Sequence, residues 1–484
     1  MKIMRNKSNI STLCLIVLSM AISSCNKLLE VPPPINSITT EEVFSNNAQA
    51  EWTLAAIYSK MINGYNTSTR STTITEEIFS SGLATILGGL SADELTYPVV
   101  LANPNYIAFS NKLTVANSDK TSKIWNSAYR FIFDANAAIA GLSAATALTD
   151  SVKKQLTGEA LALRAFCYFY LVNFFGDVPL MLNPDFHEAQ NFARTPTAKV
   201  YTQIKKDLVD AKAMLAGDYS VSNNERIRAN KWFAEAMLAR VYLYTGEYQL
   251  AINSATAVIN HTSLFTVEQD LTKTFLPNNT EAILQLKPAK ENTGIVNGTP
   301  EGYTLYTAPV NNGPYNRTFE ISTQLANAFE ANDLRKTTWT VPAGTASVSS
   351  KYTRNQRVQY YNVIRLAELH LIRAEAIARH VPGNKSAAIE DINVLRRRAG
   401  VTELDEQLTA EQVIDAVAHE RQVELFLEWG HRWLDLKRTG KAGTVLGAIP
   451  AKQPWWGDYQ LLYPIPAYEI RNNSHLQQNP EYNL

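Results

Sequence analysis

The stretch "HERQVE" at residues 419–424 opens like a zinc-protease helix, but the second histidine that would share a metal one turn later is missing. Other groups able to do chemistry are scattered in the same way. Three cysteines, Cys14, Cys25 and Cys167, and seven histidines stand without metal-ligand spacing. Carboxylate neighbours such as Glu76–Glu77 and Asp93–Glu94 occur, as any long chain supplies them. A glycosidase dyad does not need adjacent members, so spacing alone leaves that chemistry open. No glycine-rich phosphate loop and no nucleophile elbow is present. The pattern points away from an enzyme and from a bound cofactor or metal.

The sharpest charged block, "HERQVELFLEWGHRWLDLKRTG" at 419–440, interleaves Arg421, Glu424, Glu428, Arg432, Asp435 and Arg438 with Val423, Leu425, Phe426, Trp429 and Trp433. On a helix Arg421–Glu424 and Arg432–Asp435 lie three residues apart and can pair. Charges set among so many apolar residues stay buried only when paired. The block predicts a partly buried ionic network that fixes how the last helices pack, with a ligand site as the functional alternative.

Holding such groups in place takes a large scaffold, and the chain supplies one. It has 484 residues, 45% hydrophobic and 19% charged, with 45 basic against 45 acidic side chains. That length suits one big domain or two intimately packed ones. Zero formal charge argues against nucleic acid, which demands a basic surface to replace condensed counterions. It argues equally against anchoring through a polybasic patch.

The N-terminus carries its own signal. Lys2, Arg5 and Lys7 precede the apolar run "ISTLCLIVLSMAI" at 10–22, and Ser23 and Ser24 lead into Cys25. The run is too short to span a bilayer comfortably, and the layout is that of a secretory signal over residues 1–24. A cysteine as its last element resembles a bacterial lipobox, with Ile22 where Leu is commoner. Cys25 would then take a lipid and become the mature N-terminus. The plainer alternative is an ordinary cleavage site beside an incidental cysteine. Pro32–Pro34 favour a stiff extended spacer, so residues 25–40 read as a tether. Cys167, in an aromatic-rich stretch, reads as a small buried hydrophobe.

Beyond about residue 40 the pattern is mainly α. In "RANKWFAEAMLARVYLYTGEYQLAINSATAVIN" (228–260), Leu238, Ala239 and Tyr242 share one helical face, Gly246 and Tyr248 mark a turn, and Ala251, Ala255 and Val258 continue on a second helix. Those positions match the tetratricopeptide pattern. A second copy follows at 371–400 through Ala376, Gly383, Ala388, Ile392 and Leu395, and a looser third spans 158–180 and 200–215. The helix at 125–142 should pack beside it. Such units bury their faces by stacking, which predicts one solenoid. Residues 63–123 and 262–355 lack helical periodicity, although "EAILQLK" reads as a short strand. The chain thus divides into an N-terminal helical part (41–261), a loop-rich insertion (262–355) and a C-terminal helical part (356–484). Insertions on such a scaffold collect on one face and carry binding groups.

Read in order, the motifs resemble the RagB/SusD-like nutrient-binding outer-membrane lipoproteins. The resemblance runs over nearly the whole mature chain. It rests on the lipobox, "WNSAYRFIFDAN", "EALALRAFCYFYLVNFFGDVPL", "NTEAILQLK", "DLRK" at 333–336, "VIRLAELHLIRAEA", "INVLRRRAG", the charged block, and the close "YPIPAYEIRNNSHLQQNPEY" at 463–482. It implies a tetratricopeptide-like scaffold bearing an irregular ligand region, on the outer face of the outer membrane above a TonB-dependent transporter barrel. Such proteins capture oligosaccharides, or in some members peptides, and have neither catalytic activity nor an obligatory cofactor. A lipid tether would keep such a lid near its barrel.

In starch-binding members the platform comes from the early loops and the mid-chain insertion. The matching regions here offer Tyr65, Arg70, Tyr97, Tyr303, Tyr306, Asn311, Asn312 and Tyr315. Flat rings suit the C–H faces of a sugar, and Asn or Arg can reach its hydroxyls. "PWWGDY" at 454–459 adds Trp455 and Trp456, which could line the ligand groove, contact the barrel or cap the solenoid. The rival reading is a lipid-anchored interaction scaffold with no small ligand.

Overall fold

Alanines set among large apolar residues let two helices approach closely, and here they build a stack. The computed structural model describes residues 43–65, 78–98, 103–185, 188, 191–288, 298–306, 319–353 and 359–482. In chain order the first half contains α1 (Asn47–Asn63), α2 (Leu83–Ser91), β1 (Leu95–Thr96), α3 (Pro104–Ser110), α4 (Asp119–Ala144), α5 (Asp150–Phe175), α6 (Thr197–Met214), α7 (Lys231–Tyr244) and α8 (Tyr248–Ile259). The middle holds β2 (Ala282–Leu286), α9 (Pro300–Leu305), β3 (Glu320–Ile321), α10 (Thr323–Ala328), α11 (Leu334–Trp339), β4 (Thr340–Ala343) and β5 (Ala346–Ser349). After these come β6 (Tyr361–Arg365), α12 (Leu366–His380), α13 (Lys385–Ala399), α14 (Ala410–Glu424), α15 (His431–Arg438), α16 (Ala442–Gly447) and α17 (Ala467–Asn472).

The helical pairs expected from the repeat pattern are α7–α8, α12–α13 and α5–α6. Gly246, at φ +73°, makes the turn between α7 and α8, a backbone geometry that glycine adopts without a Cβ penalty. Leu238 and Ala239 on α7 are buried with Ala251, Ala255 and Val258 on α8. α8 packs on α12, so the first pair continues into the second, while α4 lies along α5 as expected. Ala374, Ile377 and Ala378 of α12, Ala388, Ile389 and Ile392 of α13, and Val413 and Val417 of α14 close one apolar cluster. α5 is buried on nearly every side from Leu161 to Phe175, as a helix at the centre of a stack must be. Cys167 lies within it, fully buried and without a disulfide, and burial pushes its thiol pKa up.

"EAILQLK" does contain a strand. β2 pairs antiparallel with β6, matching Ala282 to Arg365 and Leu286 to Tyr361. β4 and β5 form a hairpin, and β1 pairs with β3. The expectation of an irregular segment at 63–123 needs correction. α2 and α3 lie there, and α4 begins at Asp119. α2 shows no polar–apolar period because all nine of its residues are buried. Its neighbour comes in very close: a Cβ on Gly88 would lie 2.5 Å from the Cα of Gly430, which itself has φ +72°. There two backbones meet with no room for a side chain between them.

Candidate functional site

The segments expected to carry ligand groups are far apart in sequence, and short elements join their roots. β1 pairs with β3 through Leu95↔Ile321 and Thr96↔Glu320, and the Ser322 N–H donates to Glu94 O at 2.9 Å. Tyr97 then packs its ring 5.7 Å from that of Phe319 and is only 7% exposed. α9 lies against the start of α2, where Gly82 leaves space: a Cβ there would sit 3.1 Å from Glu301 Cβ. The Tyr361 hydroxyl bonds the Glu301 carboxylate and lies 3.0 Å from Thr85 Oγ1, fixing α9 to α2 and β6. α9 carries Tyr303, half-buried, and ends at Tyr306, also half-buried.

Tyr65 is clamped. Its ring stacks on Phe131 at 5.3 Å, the Arg130 guanidinium lies 3.5 Å from its centroid, and its hydroxyl donates to Asp134 at 3.2 Å. Burial, with the Asp134 charge beside it, holds the phenol pKa well up. Cys25, Arg70, Asn311, Asn312, Tyr315 and the pair Glu76–Glu77 lie outside the described residues.

Burial pushes two carboxyls near this junction above the ordinary carboxylate range. Burial raises Glu301 to about 8, against the opposing pull of the Tyr361 hydrogen bond. Burial, helped by the neighbouring Asp93 charge, likewise raises Glu94 to about 8. Glu94 Oε1 accepts from the Leu427 N–H at 3.2 Å, while Oε2 has no hydrogen-bond partner among the described residues. Asp93 is instead gripped by Arg432 at 2.7 Å.

The tryptophan loop is a distinct feature. Trp456 is 43% exposed, whereas Trp455 is half-buried over α16, with its Nε1 3.4 Å from Asp458 Oδ1. The Lys112 ammonium lies 4.9 Å from the Trp456 ring centroid. It donates to the carbonyls of Lys452 (3.3 Å) and Pro454. Lys452 is fully buried, and its ammonium donates to the carbonyls of Leu90 (2.9 Å), Ser91 (3.2 Å) and Phe109 and to Asn111 Oδ1 at 2.6 Å. The first two carbonyls end α2, where the helix dipole favours a cation. Burial nevertheless lowers Lys452 to about 7. Sequence reasoning missed both lysines, because nothing in "NKLT" or "PAKQ" distinguishes them from surface lysines.

The charged block forms the expected network but with other partners. Glu424 accepts from Arg335 at 3.0 Å, from Arg365 at 2.6 Å and from Arg398. Burial opposes its ionisation, but these three guanidinium groups, Arg398 foremost, hold its pKa well below the carboxylate range. Around it Arg365 also meets Glu281 (2.6 Å) and Glu428 (2.8 Å), Lys351 meets Glu428 (2.6 Å), and Arg335 meets Asp333 (2.8 Å) and Glu420 (2.5 Å). Arg421 pairs with Asp435 at 2.6 Å rather than with Glu424, and Arg432 pairs with Asp93 rather than with Asp435. The partners come from β6, α11 and α13, which spacing on one helix cannot reveal. His419 donates through Nε2 to Ala328 O at 2.8 Å, so "HERQVE" serves packing. Among the described residues no His, Cys, Asp and Glu group is arranged to hold a metal, and no helix is long and apolar enough to cross a membrane.

Two family models match this chain. One, described as starch-binding and associating with the outer membrane, covers residues 91–243, and the other, described as the SusD family, covers 295–482. SusD-like protein P38 of Formosa agariphila is 25% identical over 99% of this chain and 100% of its own length. SusD-like protein P2 of the same organism is 27% identical over 77% of this chain and 83% of its own. Among solved structures, a laminarin-binding SusD-like protein superposes with a TM-score of 0.71 at 24% identity, covering 91% of this chain and all of its own, a likeness of fold.

Proposed function

The chain belongs to the SusD/RagB-like family, and from that premise we propose that it captures oligosaccharides at the outer membrane and passes them to a TonB-dependent transporter. The observation that carries this reading is the joining of the early loops to the mid-chain insertion by β1–β3 and by α9 on α2. That arrangement packs α9, which carries Tyr303 and is followed by Tyr306, against α2 of the early segment. A protein that binds without chemistry needs aromatic surface and polar edges held still, and the ionic hub below keeps the insertion fixed to the helical stack. The names of relatives that bind starch or laminarin agree with a glycan cargo.

Cys25 is the proposed lipid attachment point, with residues 25–40 as the tether and the protein facing the cell exterior. Binding, not catalysis, is the proposed activity, with no cofactor. The test is a calorimetric screen of glycans and peptides on the purified protein, followed by paired alanines. Tyr303→Ala with Tyr306→Ala, or Trp455→Ala with Trp456→Ala, should weaken glycan binding about tenfold or more while thermal unfolding stays in place. Unchanged titrations for both pairs would remove these residues from the site, and a response to peptides alone would change the cargo.

A further inference from the structure

Cations buried in the ionic hub meet carboxylates, but Lys112 and Lys452 meet none among the described residues. Both ammoniums donate only to carbonyl and amide oxygens, and Asp93, whose charge reaches Lys452, is already held by Arg432. An ammonium offers three donors, and Lys112 uses two of them on backbone carbonyls, which leaves one for an incoming group. Its ammonium lies over one face of the Trp456 indole, a side chain that is 43% exposed. Building on the glycan-capture reading, we propose that Lys112 and Trp456 form a subsite for an acidic sugar, one bearing a carboxylate or a sulfate ester.

The geometry suits such a ligand. A pyranose laid on the indole face away from Lys112 puts C–H bonds on the ring, and a charged substituent projecting past the ring edge approaches the ammonium, 4.9 Å from the ring centre. Both groups are held in advance, which reduces the entropy lost on binding. The Gln460 amide bonds both N and O of Leu113, next to Lys112, at 3.0 and 2.9 Å. Gln453 Nε2 donates to Gly447 O at 2.6 Å, and Lys452 ties the base of the loop to α2 and α3. The loop's own carboxylate, Asp458, is turned to Trp455 and Gly443 and makes no ion pair with Lys112. Partial desolvation, which pulls the Lys112 pKa down, also makes an arriving anion worth more there than in open water.

The test pairs acidic glycans with neutralised counterparts: oligogalacturonate against its methyl ester, and sulfated against desulfated carrageenan oligosaccharides. Calorimetry on the wild-type protein should show a tighter Kd for one acidic member over its counterpart, a preference that shrinks with added salt. Lys112→Gln should cost about fivefold against the acidic ligand and little against the neutral one, with an unchanged Tm. Trp456→Ala should weaken both by a similar factor. Which pair shows the preference separates carboxylate from sulfate. Neutral and acidic members binding equally, or a preference that survives Lys112→Gln, overturns the subsite while leaving glycan capture standing. Failure of every glycan to bind overturns both.

Discussion

The ionic hub around Glu424 and the tryptophan loop above Lys452 both bury charge, and they do so in opposite ways. In the hub Glu424 is shared by three cations and Glu281, Glu420 and Glu428 by two each, so the cost of leaving water is met by mutual attraction at close range. In the loop the Lys452 ammonium is solvated by carbonyl and amide oxygens, and Asp93, whose charge reaches it, is held by Arg432. The first arrangement fixes β2, β6, α11, α13 and α14 in one geometry. The second holds Lys452 fully buried on oxygens of Leu90, Ser91, Phe109 and Asn111. The same side-chain types are thus buried under different rules of pairing.

The sharpest way to break this comparison is at its ionic centre. Glu424→Ala leaves Arg335, Arg365 and Arg398 short of a counter-charge in a dry interior and should destabilise the fold by about 3–5 kcal/mol, read by chemical denaturation. A loss under 1 kcal/mol would mean that the hub is not the clasp described. Next comes Lys452→Met, which strands four acceptors but no opposite charge, so the loss should be about 1–3 kcal/mol. Lys112→Gln, at the rim, should change stability by less than about 0.5 kcal/mol.

The pH profile separates the two kinds of buried acid. Glu368 is a paired acid: burial opposes its ionisation, but Arg240 and then His431 hold it at about 2. Its pKa is lower in the folded than in the unfolded chain, so its stabilisation is present above the ordinary carboxylate range and is lost as pH falls toward 2. Glu94 and Glu301 are raised to about 8 and work the other way. Between the ordinary carboxylate pKa and 8 the folded chain binds more protons than the unfolded one, so their effect is to lower stability as pH rises through that window. Glu301→Gln should flatten the fall between pH 5 and 8 while leaving the acid limb intact, measured as Tm against pH. An unaltered slope would show that α9 is not held through a protonated Glu301.

How much of this was legible in the sequence follows from the range over which each feature acts. The α7–α8 and α12–α13 pairs could be read because Ala239, Gly246 and Ala251 are local, periodic marks of close helix packing. α2 could not, since a helix buried on every side has no period to detect. The ionic character of 419–440 was visible, but its partners were not: Arg365 and Arg398 reach Glu424 only through tertiary packing. Tyr97 was picked out by type alone, and the structure sets it against Phe319. Lys112 and Lys452 stand out because no carboxylate among the described residues pairs with them, and a missing neighbour leaves no mark in a linear chain.

The bare meeting of Gly88 and Gly430 has a practical side for anyone re-engineering this protein. These two positions cannot be randomised, because even one methyl group on Gly88 would wedge α2 off the start of α15 and tilt the platform on which every variant is displayed.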